Sequence, residues 1–101
     1  MTLSTHVLDT ARGQPAYGMR VRLERGGAVV ATGITDADGR LRDWVPARAW
    51  GEGIYRLVFD TGGFAAFFPE VVVVFEVIDP AQHHHVPLLL SEYSYTTYRG
   101  S

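Results

Sequence analysis

The chain contains no cysteine, no lysine and no asparagine among its 101 residues. Without cysteine it has neither a disulfide bond nor a thiolate nucleophile. Without lysine it cannot form a Schiff base or use a P-loop lysine to bind phosphate. Without asparagine it has no acceptor for N-linked glycans. Histidine, arginine, hydroxyl groups and carboxylates remain as the side chains available for chemistry.

Long apolar segments and concentrated charge are missing as well. No apolar run is longer than Val71 to Phe75, which is far below the roughly 20 residues that a membrane-spanning helix needs. No basic segment followed by an apolar stretch opens the sequence, so we expect no signal peptide, no membrane association and a cytoplasmic location. The nine cationic side chains, all arginine, are scattered among eleven acidic ones. We therefore expect no nucleic-acid partner, and the arginine-only composition suggests a bacterial source.

Short strand-like segments separated by glycine and proline run along most of the chain. Met19 to Glu24 alternates apolar and charged side chains, which is typical of a half-buried strand. This pattern predicts an all-β sandwich of two sheets, formed by one domain of residues 1–101. The predicted strands are Thr2–Leu8, Met19–Glu24, Val29–Thr35, Tyr55–Asp60, Val71–Ile78, His83–Leu90 and Ser94–Arg99.

Two segments have a more specific prediction. Val71 to Ile78 is nearly all apolar and β-branched, which predicts a central strand covered on both faces. Gly63 to Phe68, between a glycine pair and Pro69, is the only helical candidate and is limited to one or two turns.

Three of the four histidines are consecutive, His83, His84 and His85, and the fourth is His6. On a strand, His83 and His85 point to one face and His84 to the other. Two imidazoles on one face could bind zinc with His6 as a third ligand, or could act as general acid and base near neutral pH. A solvated or hydrogen-bonded cluster without a function fits equally well, so the spacing leaves these alternatives open.

Arg40 follows the turn residues Asp38 and Gly39, where a side chain is presented at the edge of a sheet. Its guanidinium could bind a carboxylate, an imide oxygen or a developing oxyanion. An ion pair with Asp36 or Asp38 is the simpler interpretation. Composition and spacing by themselves name no substrate.

Four segments of the sequence together resemble the transthyretin-like family, and within it the 5-hydroxyisourate hydrolases of purine catabolism. They are Leu3 to Asp9 with Gly13 to Ala16, Thr35 to Arg40, Phe67 to Val71, and His83 to Ser91 with Tyr95 and Thr97 to Ser101. Transthyretin, the hormone-carrier branch of the family, lacks the tetrapeptide Tyr98 to Ser101. It also lacks the trio His6, Arg40 and His85. The resemblance therefore favours an enzyme, with a non-catalytic small-ligand carrier as the alternative.

The resemblance implies a transthyretin-like sandwich that hydrolyses 5-hydroxyisourate to 2-oxo-4-hydroxy-4-carboxy-5-ureidoimidazoline without a metal or an organic cofactor. It implies that His6 and His85 activate water and transfer protons, and that Arg40 orients the substrate and stabilises negative charge. The substrate would be bound by Tyr98, Arg99, Gly100 and Ser101. His83 would contact the catalytic residues rather than the substrate. The family also implies a homotetramer, a dimer of dimers, with sites in the clefts between dimers.

Overall fold

Alternating apolar side chains build two β-sheets that pack face to face in the computed structural model, which describes residues 2–101. The all-β sandwich predicted from the sequence is confirmed. The strands are β1 (Leu3–Asp9), β2 (Gln14–Pro15), β3 (Arg20–Arg25), β4 (Ala28–Ile34), β5 (Arg40–Leu41), β6 (Gly53–Phe59), β7 (Val71–Val77), β8 (His84–His85), β9 (Leu88–Leu90) and β10 (Tyr95–Thr97).

Strand β1 is the centre of the first sheet, which has six strands. The first half of β1 pairs with β8 on one side and β5 on the other, and the second half pairs with β9 and β2. β10 adds to β9 at the outer edge. The short strands β2 and β5 were not predicted, because two residues are too few to show alternation.

The second sheet is antiparallel, with the order β4-β3-β6-β7. The β3–β4 hairpin turns at Gly26 and Gly27, which have φ angles of 59° and 81°. Positive φ at both central residues is what a tight hairpin turn of this hand requires, and glycine accepts it without steric cost. This turn is the one that the sequence predicts.

The core lies between the two sheets. Leu3, Val7 and Leu88 face inward from the first sheet, and Leu23 and Leu57 from the second, each at most 1% exposed. Burying a side chain of this kind stabilises the fold by about 1.5–3 kcal/mol. Since inward and outward residues alternate along β1, the same pattern that fills the core also determines which residues face away from it.

The predicted helix at Gly63 to Phe68 is wrong. These residues form separate turns, in which the backbone N–H groups of Phe64 and Ala65 both donate to the Thr61 carbonyl at 2.9 Å. The Thr61 hydroxyl donates to the Phe68 carbonyl and closes the loop. The flanking glycines and Pro69 leave too few residues for a regular helix. The only helical element among residues 2–101 is a 3-10 helix at Ala47–Ala49.

The prediction that Val71 to Ile78 forms a central strand covered on both faces is also wrong. β7 is an edge strand with β6 as its single neighbour. Val71 and Val77 are buried, but Val74 is 59% exposed and Ile78 is 76% exposed. The apolar run therefore reflects an outer surface and an open edge rather than a central position.

The predicted strand His83–Leu90 is divided into β8 and β9. Pro87 lies between them and has no N–H group for the ladder, although Val86 N–H still donates to the Ser4 carbonyl at 3.0 Å. Both parts lie beside β1, so the division leaves the topology unchanged. Among residues 2–101, no helix is long and apolar enough to cross a bilayer.

Gly39 gives a direct test of the turn that leads into β5. Its φ is +74°, and a Cβ there would overlap the Val7 carbonyl oxygen. We expect Gly39→Ala to lower the free energy of unfolding by about 1–2 kcal/mol for the left-handed backbone, and by about 1–3 kcal/mol more for the overlap. Urea denaturation measures both contributions together.

Gly13→Ala is the matched control, because Gly13 has a φ of +67° and nothing within 4 Å of its Cβ position. It should show only the backbone cost. Equal losses for the two variants would show that contact with Val7 is unimportant.

Candidate active site

Strand pairing places His6 and Arg40 side by side on the face of the first sheet that points away from the core. Along β1, Leu3, Thr5 and Val7 face the core, so Ser4 and His6 face outward. His6 is directly opposite Arg40 in the antiparallel pair of β1 and β5. Directly opposite residues share a face, with Cβ atoms about 4.5–5.5 Å apart. The two predicted residues, far apart in sequence, are therefore neighbours.

His85 reaches the same face from the other side of β1. Ser4 is its partner in the parallel pair of β1 and β8. The Thr5 hydroxyl donates to the Val86 carbonyl at 2.6 Å and so holds the end of β8 against β1. Two outward-facing residues of β1 therefore position the site. His6 lies beside Arg40 of β5, and Ser4, two residues earlier, lies beside His85 of β8.

The turn before β5 fixes the backbone position of Arg40. The Asp36 carboxylate accepts the backbone N–H groups of Asp38 at 2.9 Å and of Arg40 at 3.0 Å. The bond from the Arg40 backbone is the main reason that the pKa of the Asp36 carboxyl is below its usual value. Within residues 2–101, Arg40 forms no ion pair, so its guanidinium is available to a ligand.

His83 and His85 share one hydroxyl group. The Ser4 Oγ lies 2.7 Å from His85 Nδ1 and 2.8 Å from His83 Nε2. Ser4 itself is buried, with 8% of its surface exposed. The prediction that His83 and His85 point to one face is confirmed.

His84 points to the other face, as predicted. It is 4% exposed, and its ring packs edge-on against Trp50 with 5.5 Å between centroids. Its Nδ1 lies 2.9 Å from the Gln82 carbonyl oxygen. His84 is therefore a packed core residue.

Burial lowers the pKa of His85 from its ordinary value of 6.5, and the charge interactions with Arg40, His83 and His6 lower it further. A positive charge on any of these side chains disfavours a second one on the His85 imidazole. His85 is therefore neutral near pH 7, the state in which imidazole accepts a proton.

These residues surround a cavity of about 200 Å³, lined chiefly by Ser4, Arg40, Arg42, His83, His85 and Ser101. None of the described residues that line it is acidic. The cavity therefore suits a small polar molecule that carries or develops negative charge. His6 does not line the cavity itself, but its charge acts on His85 from the same face.

The C-terminal segment is fixed to the site by backbone contact with His85. Gly100 N–H donates to the His85 carbonyl at 2.8 Å. A Cβ at Gly100 would lie 2.5 Å from the Cδ2 atom of His85, so only glycine allows the segment to run this close to the imidazole. Ser101 then enters the cavity lining.

Tyr98 and Arg99 lie elsewhere. They line a separate cavity of about 190 Å³, together with Val73, Phe75 and His84. Arg99 donates a hydrogen bond from Nη2 to Gln82 Oε1 at 3.2 Å. Within this single chain, the predicted binding residues are therefore divided between two cavities.

The zinc hypothesis has no support from the geometry. Over residues 2–101, no three histidine, cysteine, aspartate or glutamate side chains are grouped as metal ligands. Ser4 lies within hydrogen-bonding distance of a ring nitrogen of both His83 and His85.

Comparison with known proteins identifies the family. The model for the HIUase/Transthyretin family matches residues 3–100. The chain belongs to this family. A 5-hydroxyisourate hydrolase of Salmonella typhimurium is 45% identical over an alignment of 109 positions, and the alignment covers 98% of this chain and 80% of that protein.

Two solved structures of this family show how little the fold separates its members. Klebsiella pneumoniae 5-hydroxyisourate hydrolase has a TM-score of 0.88 at 36% identity, covering 99% of this chain and 98% of that one. Sea bream transthyretin in complex with thyroxine also has a TM-score of 0.88, at 30% identity, covering 99% and 95%. The backbone fits both equally well, so the side chains must distinguish them.

Sequence reasoning did not single out Ser4 or Arg42, both of which line the cavity. A usable signal for Ser4 was present, because it precedes His6 by two residues on a predicted strand and must share its face. A similar signal was present for Arg42, because it follows Arg40 by two residues. Neither signal shows that these side chains meet His85, because that depends on the pairing of β1 with β8.

The pKa of His85 gives a test of the electrostatics. We expect His85 to titrate below 6.5 in a histidine NMR titration, and Arg40→Ala to raise its pKa because one positive charge is removed. Since the unfolded chain binds this proton more readily than the folded one, the His85 contribution to stability should fall as the pH drops below about 6.5.

Arg20→Ala removes an exposed arginine from the opposite sheet and is the control. It should leave the His85 titration unchanged. An Arg40→Ala variant whose His85 titrates as in the parent would show that Arg40 does not act on this imidazole.

Proposed function

We propose that this protein hydrolyses 5-hydroxyisourate to 2-oxo-4-hydroxy-4-carboxy-5-ureidoimidazoline, a step of urate catabolism. The observation that carries the proposal is the cavity lined by a half-buried histidine of lowered pKa and an arginine without an ion pair among residues 2–101. The sequence relation supports it, since the Salmonella typhimurium relative, 45% identical, is named 5-hydroxyisourate hydrolase.

His85 is the proposed general base. Its Nδ1 lies beside Ser4, which leaves Nε2 available to a water molecule in the cavity. The neutral imidazole takes one proton from water as the oxygen attacks a ring carbonyl of the substrate. The proton then passes to the ring nitrogen that leaves the carbonyl. Water supplies all the atoms added, so the proposed reaction needs no cofactor.

Arg40 is the proposed group that stabilises negative charge on the carbonyl oxygen. A positive charge held in place before the reaction stabilises the transition state more than the substrate, because the charge on oxygen develops only there. His6 lies directly opposite Arg40 on the same face and is proposed to take part in water activation and proton transfer. Ser101, which lines the same cavity as His85, is proposed to orient the substrate or the water.

The chain is further proposed to assemble as a homotetramer, a dimer of dimers. The edge strands β7 and β10 lie on the same side of the sandwich, because Val73 and Thr97 line one cavity between them. Unpaired edges on both sheets allow a second copy to extend both at once. Large exposed side chains beside these edges, Phe67 at 65% and Tyr93 at 77%, favour such a contact.

A transthyretin-like carrier of a small ligand is the second candidate. It is favoured by the TM-score of 0.88 to sea bream transthyretin in complex with thyroxine. A carrier would bind ligand in a fixed ratio and form no product.

The catalytic assignment is tested by single substitutions and the ultraviolet decay of 5-hydroxyisourate made in situ from urate. We expect His85→Ala to lower kcat by about 10²–10⁴-fold because the base is lost. Arg40→Ala should lower it by about 10²–10³-fold because the developing anion loses its partner. His6→Ala should also reduce turnover.

His84→Phe is the control. It removes an imidazole next to His85 in sequence but keeps an aromatic ring against Trp50, so parent activity is expected. Parent-like rates in the His85, Arg40 and His6 variants together would refute the assignment, and binding without any decay in the parent would select the carrier.

Native mass spectrometry tests the assembly. The parent should appear as a tetramer, and Phe67→Glu should shift it to smaller species, because it places a charge beside the open edges. Val29→Glu is the control, since Val29 is 53% exposed on β4 at the opposite edge of its sheet. A monomeric parent would contradict the proposal.

A further inference from the structure

Ser4 is the one hydroxyl that lies between two imidazoles at this site. Its Oγ is 2.7 Å from His85 Nδ1 and 2.8 Å from His83 Nε2. His83 is exposed, whereas His85 is half-buried. Both imidazoles and Ser4 line the same cavity.

A serine hydroxyl has one proton to donate, so the two hydrogen bonds constrain each other. If Ser4 donates to His83 Nε2, it accepts from His85 Nδ1, and both rings carry their proton on Nδ1. If Ser4 donates to His85 Nδ1, it accepts from His83 Nε2, and both rings carry it on Nε2. With both bonds formed, the two neutral histidines have the same tautomer.

The geometry points to a role for Ser4 as a positioning residue that passes positive charge between His85 and His83 during hydrolysis. This inference rests on the proposed function, because it assigns the water proton to His85. In the resting state, Ser4 accepts from His85 Nδ1 and donates to His83 Nε2, which leaves the lone pair of His85 Nε2 facing the cavity.

The protons balance over one cycle. When water attacks, its proton binds to His85 Nε2, the Nδ1 proton of His85 moves to Ser4 Oγ, and the Ser4 proton moves to His83 Nε2. His85 is then neutral, and His83 carries the charge. When the ring nitrogen leaves, it takes the Nε2 proton of His85, and the two other protons return along the same bonds. Ser4 and both histidines end as they began.

The charges around the site favour this transfer. Burial, Arg40 and His6 all disfavour a positive charge on His85. His83 is exposed to water, which solvates a cation at much lower cost than a half-buried position does. The transfer moves the charge away from Arg40, which must remain free to stabilise the anion. Arg40 and His6 are thus a reason for the relay rather than an obstacle to it.

Ser4→Ala tests the relay by kinetics. We expect kcat to fall by roughly 10- to 100-fold, less than the loss of the base itself, while KM changes by less than about twofold. The dependence of the parent rate on the D2O fraction should be curved, because several protons move together, and it should become linear in Ser4→Ala. A merely structural role would not change the shape of this dependence.

Three further variants make the test specific. Ser4→Thr keeps the hydroxyl and should recover most of the lost turnover. His83→Gln changes an exposed residue and should fold normally, yet it should lower kcat as much as Ser4→Ala. Because both positions belong to one relay, the double variant should be no slower than either single variant. Thr32→Val removes an exposed hydroxyl from the opposite sheet and should have no effect.

Additive losses in the double variant, or a parent-like rate in Ser4→Ala, would overturn the inference. A side-chain ¹⁵N NMR measurement on the resting protein gives a readout that does not depend on turnover. His83 and His85 should both carry their proton on Nδ1 in the parent, and this agreement should be lost in Ser4→Ala. Opposite tautomers in the parent, or both protons on Nε2, would overturn the relay, whereas a parent that leaves 5-hydroxyisourate intact would instead refute the proposed function.

Discussion

Strand β1 forms backbone hydrogen bonds with β2, β5, β8 and β9, two of them along each half of its length. β5 and β8 lie on opposite sides of its first half, and each brings one residue of the site, Arg40 and His85. Because β1 alternates its side chains, the core fixes Leu3, Thr5 and Val7 inward, and Ser4 and His6 have no other direction to point. A slip of one residue in either pair would place the site residues in the core.

The outward face gathers positive charge in a restricted volume. Arg40, Arg42 and the imidazoles surround the cavity, and no acidic side chain lines it among the described residues. Burial lowers the pKa of His85, and this concentration of positive charge lowers it further, because both are unfavourable for a protonated histidine. The same concentration suits a reaction in which negative charge develops on a carbonyl oxygen. The hydroxyl of Ser4 connects the half-buried imidazole of His85 to the exposed imidazole of His83, where water can solvate the positive charge.

Several features could be predicted from the sequence because they depend on local pattern. The alternation around Met19 to Glu24 indicates a strand, and the turns at Gly26–Gly27 and Asp36–Gly39 need only glycine and aspartate in short order. The opposite directions of His84 and its neighbours follow from strand geometry alone. The helix expected at Gly63 to Phe68 failed because the tertiary contacts of a short loop override weak local preference. The prediction that Val71 to Ile78 is a covered central strand failed because apolar composition does not distinguish a central strand from an exposed edge.

The sequence by itself determined that this chain is a β-sandwich of its family, with His6, Arg40 and His85 as the residues to examine. Only the tertiary structure decided that Ser4 lies between His83 and His85, that Gly100 rests against the His85 ring, and that Tyr98 and Arg99 line a different cavity. The physical reason is that side-chain direction along a strand is a local property with a period of two. Which strand lies beside which is decided by hydrogen bonds between residues as far apart as Ser4 and His85.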